Sequence, residues 1–325
     1  MNRRYQSIYA EHIGQFIAIK KSLGFKYNTE GVILSLFDQL CYRRKESKVG
    51  ISKQLWEAWI LINPNESSSY RYHRAVCVAQ LSQYLNQEGI RSLMPQLPPN
   101  KNSFTPYIFS RSQIASFLQA ADGMVARKRR MDSVIFSLPC LWRILYGTGI
   151  RISEALALLE KDVNTKDRYL LIRDAKNGLE RMVPMTDSLT EVCCTYRSYK
   201  TRLPIRPETN TPFLVSLDGS ACKHDAVHNW FQKTLSKAGI VKCEHGPRIH
   251  DLRHSFSVHS LAMLAESGQD IYCSLPILST YLGHQSLEST NGYVRLTDEM
   301  YPGLIKDVEL VCLNVFPKLT DHDTH

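Results

Sequence analysis

Residues 94–107, "MPQLPPNKNSFTPY", hold four prolines and no periodic apolar pattern. Proline fixes φ and has no N–H to donate, so neither a helix nor a central strand passes through such a stretch. At 325 residues the chain also exceeds the ~250–300 at which single hydrophobic cores stop growing. The sequence therefore predicts two domains, 1–93 and 108–300, joined by a linker at 94–107 and followed by a C-terminal segment, 301–325.

Ahead of the linker the apolar residues recur with helical period. Tyr9, Ile13, Phe16 and Ile17 share one face, Ile33, Phe37 and Leu40 another, and "KQLWEAWILI" follows. A last helix is expected from Ser67 to Gly89, with Leu81, Tyr84 and Leu85 inward. This makes a bundle of about four helices. Arg71 and Arg74, three apart on that last helix beside Tyr70 and Tyr72, form either a solvated face or a contact to DNA phosphates.

After the linker, "SRSQIASFLQ" opens a helix with a capping box from Ser110 to Gln113. An apolar helix at 131–146 ends in "YGTG", and "RISEALALLE" starts another. "RYLLIR" and "ERMVPM" read as two strands around Asn177-Gly178, a hairpin turn pair. Further helices are expected at 186–203, 225–238, 249–267, 275–282 and 286–297. The fold class is mainly α: a helical bundle, then a mostly helical domain with one small antiparallel sheet.

Composition narrows the chemistry. No apolar run approaches the ~18 residues of a membrane span, and the first residues lack a signal peptide's apolar core, so a cytoplasmic protein is expected. Nine cysteines, an odd number, read as reduced thiols. Cys222 with His224 and Cys243 with His245 form two Cys-x-His pairs, but one intervening residue is too few for a loop to wrap zinc comfortably. The net charge of +9 favours a polyanionic partner. Residues 1–104 carry 14 Lys and Arg against 7 Asp and Glu, so the surplus lies mostly in the first third.

Three segments suit phosphate: "TGIRISEAL" with Arg151, "IHDLRHSF" with His250 and Arg253, and "DAKNGLERMVP" with Lys176. His250 and Arg253, three apart on a helix, address one anion, and arginine's planar fork gives two hydrogen bonds to two phosphate oxygens. Each residue alone has a plain reading. Arg151 pairs with Glu154 on a surface, His250 is half-buried and satisfied, Lys176 is a solvated turn lysine, and Tyr293 packs. Those readings give no reason for all of them to occur together in this order.

With these boxes the sequence resembles the tyrosine recombinases, or phage integrase family. "YGTGIRISEALAL" resembles the box around the first active-site arginine, "HDLRHSF" the His-x-x-Arg box, and "LGHQSLESTNGY" the closing box, with His284 nine residues before Tyr293. The likeness is close over residues 105–300 and looser in the first third, which resembles the family's DNA-clamping core-binding domain. It implies the family's catalytic fold and a site-specific recombinase that cuts and rejoins DNA through a 3′-phosphotyrosyl bond on Tyr293. Arg151 and Arg253 would hold the non-bridging oxygens, and Lys176 would protonate the leaving 5′-oxygen. His250 would assist proton transfer at the tyrosine, His284 would donate to the phosphate, and Glu154 would brace the site from behind.

The resemblance further implies no metal or cofactor, no membrane, and a homotetramer on double-stranded DNA recombination sites, with sister recombinases or DNA-bending proteins as further partners. Integration, excision or transposition of a mobile element is expected, because "DIY…LPILSTYLGH" is similar to recombinases of bacterial transposons and integrative elements. An inactive DNA-binding accessory protein and a topoisomerase of the same chemistry are the alternatives. The interval from Arg253 to His284 is longer than the family's commonest one, so the loop around "GQDIYCSLP" reads as an insertion or as the mark of a subgroup. Gly292 reads as a hinge ahead of Tyr293. Leu304, Val308, Leu310 and Val311 form an apolar stripe that docks on a neighbouring subunit or on its own domain.

Overall fold

The computed structural model describes residues 5–64, 66–100, 105–125, 131–173, 180–203, 209–243, 246–283 and 288–301. The chain divides into two compact units, Met1–Phe104 and Thr105–His325, and the division falls inside the proline-rich stretch.

The first unit contains helices α1 (Ala10–Ser22), α2 (Asn28–Arg44), α3 (Lys53–Ile60) and α4 (Ser68–Gln87). Ser52 and Ser67 cap α3 and α4 by accepting the backbone N–H of Leu55 and Tyr70. Asp38 on α2 accepts the backbone N–H groups of Gln6 and Ser7 at 2.7 and 3.0 Å, which ties the approach to α1 against α2. Aromatic edges fill the centre: Tyr9 meets Phe37 and Phe37 meets Trp59, with centroids 5.6 and 5.4 Å apart.

Arg74 departs from the surface role allowed for it. It is 4% exposed and donates to Glu66 and to the carbonyls of Trp59 and Leu61. Arg71 donates to the Ile60 carbonyl at 2.9 Å. The turn between α3 and α4 leaves carbonyls that the helices cannot satisfy, and these two arginines satisfy them.

In the second unit, α5 (Arg111–Asp122) opens with the capping box between Ser110 and Gln113. Helix α6 (Leu138–Thr148) buries Leu138, Leu141, Trp142, Ile144 and Leu145, so it is apolar most of the way round and runs through the core. Phe117, Trp142 and Phe231 meet there. Helix α7 (Ile152–Leu156) is shorter than "RISEALALLE" suggests. Beyond it the Leu158 carbonyl and the Glu160 N–H pair with Phe213 and Thr211, and this pairing draws the chain out of the helix.

Strands β1 (Val163–Asn164), β2 (Tyr169–Ile172) and β3 (Arg181–Pro184) form an antiparallel sheet in the order β1-β2-β3. Leu170 faces Val183 and Ile172 faces Arg181. The Asn177-Gly178 turn lies outside the described residues, and β1 was not foreseen.

Helices α8 (Asp187–Lys200), α9 (His224–Lys237), α10 (Asp251–Glu266), α11 (Ile271–Leu282) and α12 (Glu288–Met300) complete the unit. "GQDIYCSLP" is a turn and a helix start, not a loop: Asp270 accepts the Tyr272 N–H at 2.7 Å and α11 runs on through Pro276. Val258 and Leu261 of α10, Leu275, Leu278 and Leu282 of α11, and Tyr293 and Val294 of α12 share one apolar cluster. Helix α12 thus packs its nucleophile candidate against α10. Gly292 lies within that unbroken helix, and a Cβ there would meet nothing within 4 Å.

The eight described cysteines are unpaired, five of them buried. Among the described residues no three His, Cys, Asp or Glu gather as a metal would require. His245 and the stripe Leu304, Val308, Leu310 and Val311 lie outside the described residues. No described helix is long and apolar enough to cross a membrane.

Candidate active site

The site grows from the end of α6. Gly149 turns the chain there with φ +62, a left-handed conformation that glycine adopts without strain. Arg151 follows in extended geometry at the start of α7, and its backbone N–H is accepted by Glu154 at 2.9 Å. The same carboxylate accepts Arg151 Nη1 at 3.0 Å. Glu154 is only 7% exposed, so this is not the ordinary surface pair that a lone Arg and Glu three apart suggest.

Arg181 on β3 explains how that carboxylate stays charged. Its Nη1 and Nη2 donate to the two oxygens of Glu154 at 3.1 and 2.9 Å, and its Nε donates to the Tyr281 carbonyl on α11. Burial pushes the Glu154 carboxyl up, but the hydrogen bonds and charges of Arg181 and Arg151 outweigh it and hold the group below its ordinary value. Sequence reasoning missed Arg181. The signal was present: a strand alternates faces, and Arg181 shares the inward face with buried Val183, where a charge needs a partner.

Arg253 projects from α10 and is 2% exposed. It donates through Nη1 to the Gly149 carbonyl at 2.7 Å and through Nη2 to the Leu282 carbonyl at 2.9 Å. One guanidinium thereby joins the last turns of α6 and α11. Burial, then the charge of Arg151, lowers its pKa to about 10, so it stays cationic at neutral pH. His250, at the start of α10, lies at the surface. Crowding by protein, then Arg253, Arg151 and Arg248, pushes its pKa down to about 4, so it is neutral at pH 7.

Tyr293 enters this cluster from α12 and is 5% exposed. Burial raises its phenol's pKa, while Arg253, Ser257 and Arg151 pull it back down. Its hydroxyl lies 3.1 Å from Nδ1 of His254. His250 packs edge-on against His254, with ring centroids 4.7 Å apart. His254 is the second residue that sequence reasoning passed over. It stands four after His250, which puts both on one helical face.

The structure thus brings Arg151, His250, Arg253 and Tyr293 together. Lys176 and His284 lie outside the described residues. The assembly offers fixed cationic donors, a buried phenol and an imidazole at hydrogen-bond distance from it. Fixed cationic donors of this kind favour an anion between them.

Residues 109–300 match the phage integrase family, and the chain belongs to it. The second unit has the tyrosine recombinase catalytic fold, and the first is a helical bundle. A putative integrase/recombinase of Sinorhizobium fredii, y4rB, is 28% identical over 93% of this chain and 98% of its own. The tyrosine recombinase XerA of Pyrococcus horikoshii is 27% identical over 83% of this chain and 86% of its own. Among solved structures, XerH bound to its palindromic difH substrate superposes with a TM-score of 0.65 at 20% identity, over 89% of this chain and 82% of that one. The Tn1549 transposon integrase with circular-intermediate DNA gives 0.61 at 18%, over 87% and 94%.

Proposed function

We propose that this protein is a site-specific DNA recombinase that cuts and rejoins strands through a 3′-phosphotyrosyl bond on Tyr293, in the integration, excision or transposition of a mobile element. The observation that carries the reading is the Tyr293 hydroxyl, buried among Arg253, Arg151 and His254. A phosphodiester repels nucleophiles, and its five-coordinate transition state gathers further negative charge. Donors fixed before the reaction therefore lower the barrier more than they stabilise the ground state.

In this reading Arg151 and Arg253 hold the non-bridging oxygens, with His250 and His284 as additional hydrogen-bond donors. Lys176 protonates the departing 5′-oxygen. The phosphotyrosyl ester conserves the energy of the broken bond, so the 5′-hydroxyl of another strand reverses the step without ATP. Double-stranded DNA is the partner, and a homotetramer on two sites supplies the second strand. XerH and the Tn1549 integrase were solved on DNA, and the transposon enzyme supports the mobile-element context.

The test is a nicked duplex carrying the DNA that flanks the gene, incubated with protein and resolved on a denaturing gel. The unaltered protein should give a slow-migrating covalent adduct and Tyr293→Phe none. An adduct of equal intensity from both would remove Tyr293 from its role.

A further inference from the structure

The resemblance assigns the tyrosine's proton to the HxxR histidine, His250, and a second imidazole stands at hydrogen-bond distance from the tyrosine hydroxyl. His254 Nδ1 lies 3.1 Å from the Tyr293 hydroxyl, and the two rings are tilted with centroids 5.7 Å apart. Helix α10 carries His254 one position beyond Arg253, and the apolar cluster that holds α12 against α10 fixes the two rings relative to each other. His254 is half-buried, and the His250 ring packs edge-on against it.

We propose that His254 is a catalytic residue: its Nδ1 takes the phenolic proton as the Tyr293 oxygen attacks the scissile phosphate. The inference rests on Tyr293 as nucleophile. As the Tyr293 O–P bond forms, the phenolic proton passes to Nδ1 of a His254 whose own proton is on Nε2. The P–O5′ bond breaks, and the 5′-oxygen receives its proton from Lys176. In the rejoining step the imidazolium returns its proton to the phenolate.

Two features favour His254 over His250. A general base must reach the proton it removes, and His254 is at hydrogen-bond distance. His250, with its pKa near 4, is a weak base at neutral pH. Among the described residues, the groups facing the pair include His250, Arg253 and Ser257 on α10, Tyr293 on α12, and Arg151 from the turn before α7. Negative charge gathering on the phosphorane during attack favours the imidazolium that forms, so the base acts when substrate is present.

The experiment is single-turnover adduct formation on the same nicked duplex. His254→Asn keeps a polar atom near the Nδ1 position but cannot take a proton, and it should slow cleavage on the order of 10²-fold while DNA binding is retained. Replacing Tyr293 by a fluorinated tyrosine, a more acidic phenol, should recover most of that loss. Cleavage by His254→Asn at the unaltered rate, or a loss that the fluorinated phenol does not recover, would overturn the proposal.

If His254→Asn does not fold, the pH dependence of the chain with His254 intact decides. The rising limb should keep its midpoint when Tyr293 is fluorinated, because the base is what titrates. A midpoint that moves by the full difference in phenol acidity would refute a base. An adduct from Tyr293→Phe, or none from the unaltered protein, would instead defeat the underlying reading of the nucleophile.

Discussion

At the scale of single residues, the site is organised by carboxylate and carbonyl oxygens as much as by its cations. Arg253 is oriented by the carbonyls of Gly149 and Leu282, and Arg151 by Glu154. Arg151→Ala and Arg253→Ala should each cut adduct formation on the order of 10²-fold, comparable to deleting an oxyanion donor, and near-normal rates in the gel assay would count against both roles. Arg181→Ala leaves Glu154 buried with fewer donors and should cost about 2 kcal/mol in urea unfolding at pH 7. The sign with pH follows from the direction of the Glu154 shift. A carboxyl depressed on folding stabilises the native state above its unfolded pKa of about 4.3, and that contribution is lost as pH falls through the folded value. The unaltered protein should therefore lose more stability on acidification than Arg181→Ala, measured by unfolding from pH 7 to pH 3. Arg151, Arg253, His250 and Tyr293 were legible in the sequence because they sit in linear boxes. Arg181 and His254 were not, because their partners Glu154 and Tyr293 are distant in the chain and only folding brings them close.

At the scale of elements, the glycines separate two kinds of demand. Gly149 ends α6 with positive φ, and a Cβ there would lie 2.3 Å from the Phe256 ring. Gly149→Ala should destabilise by about 1 kcal/mol through the backbone and about 1–3 kcal/mol more through overpacking, and it should misplace the carbonyl that Arg253 holds. Gly292, read from sequence as a hinge, is a helical residue with open space beside it, so Gly292→Ala should stabilise by about 0.5–1 kcal/mol. Thermal melts of the two variants, moving in opposite directions, check both statements. Helix periods were readable because an amphipathic face repeats along the chain. The early end of α7 was not, because the pairing of Leu158 and Glu160 with Phe213 and Thr211 is a tertiary event. The start of α11 was misread because Pro276 suggests a break, whereas the Asp270 cap starts the helix ahead of it.

At the scale of the whole molecule, charge is unevenly shared. The surplus of basic residues in 1–104 suits the first unit to gripping phosphates, although Arg74 is spent inside it and adds nothing to that surface. Affinity for duplex DNA should fall by on the order of 10³-fold between 50 and 200 mM salt if about six phosphates are neutralised, and truncating the chain to 105–325 should flatten that slope. A salt response that is flat in the full chain would argue against the clamp role of the first unit.

The sequence by itself determined the partition at the prolines, the helical faces, the sheet and the order of the active-site boxes. Periodicity, proline and short motifs are local properties written along one dimension. Only the tertiary structure decided that Arg74 is a core residue, that Arg181 secures the carboxylate behind Arg151, and that His254 meets the phenol. Each of those depends on which charges and carbonyls become neighbours once water is excluded, and no spacing along the chain specifies that.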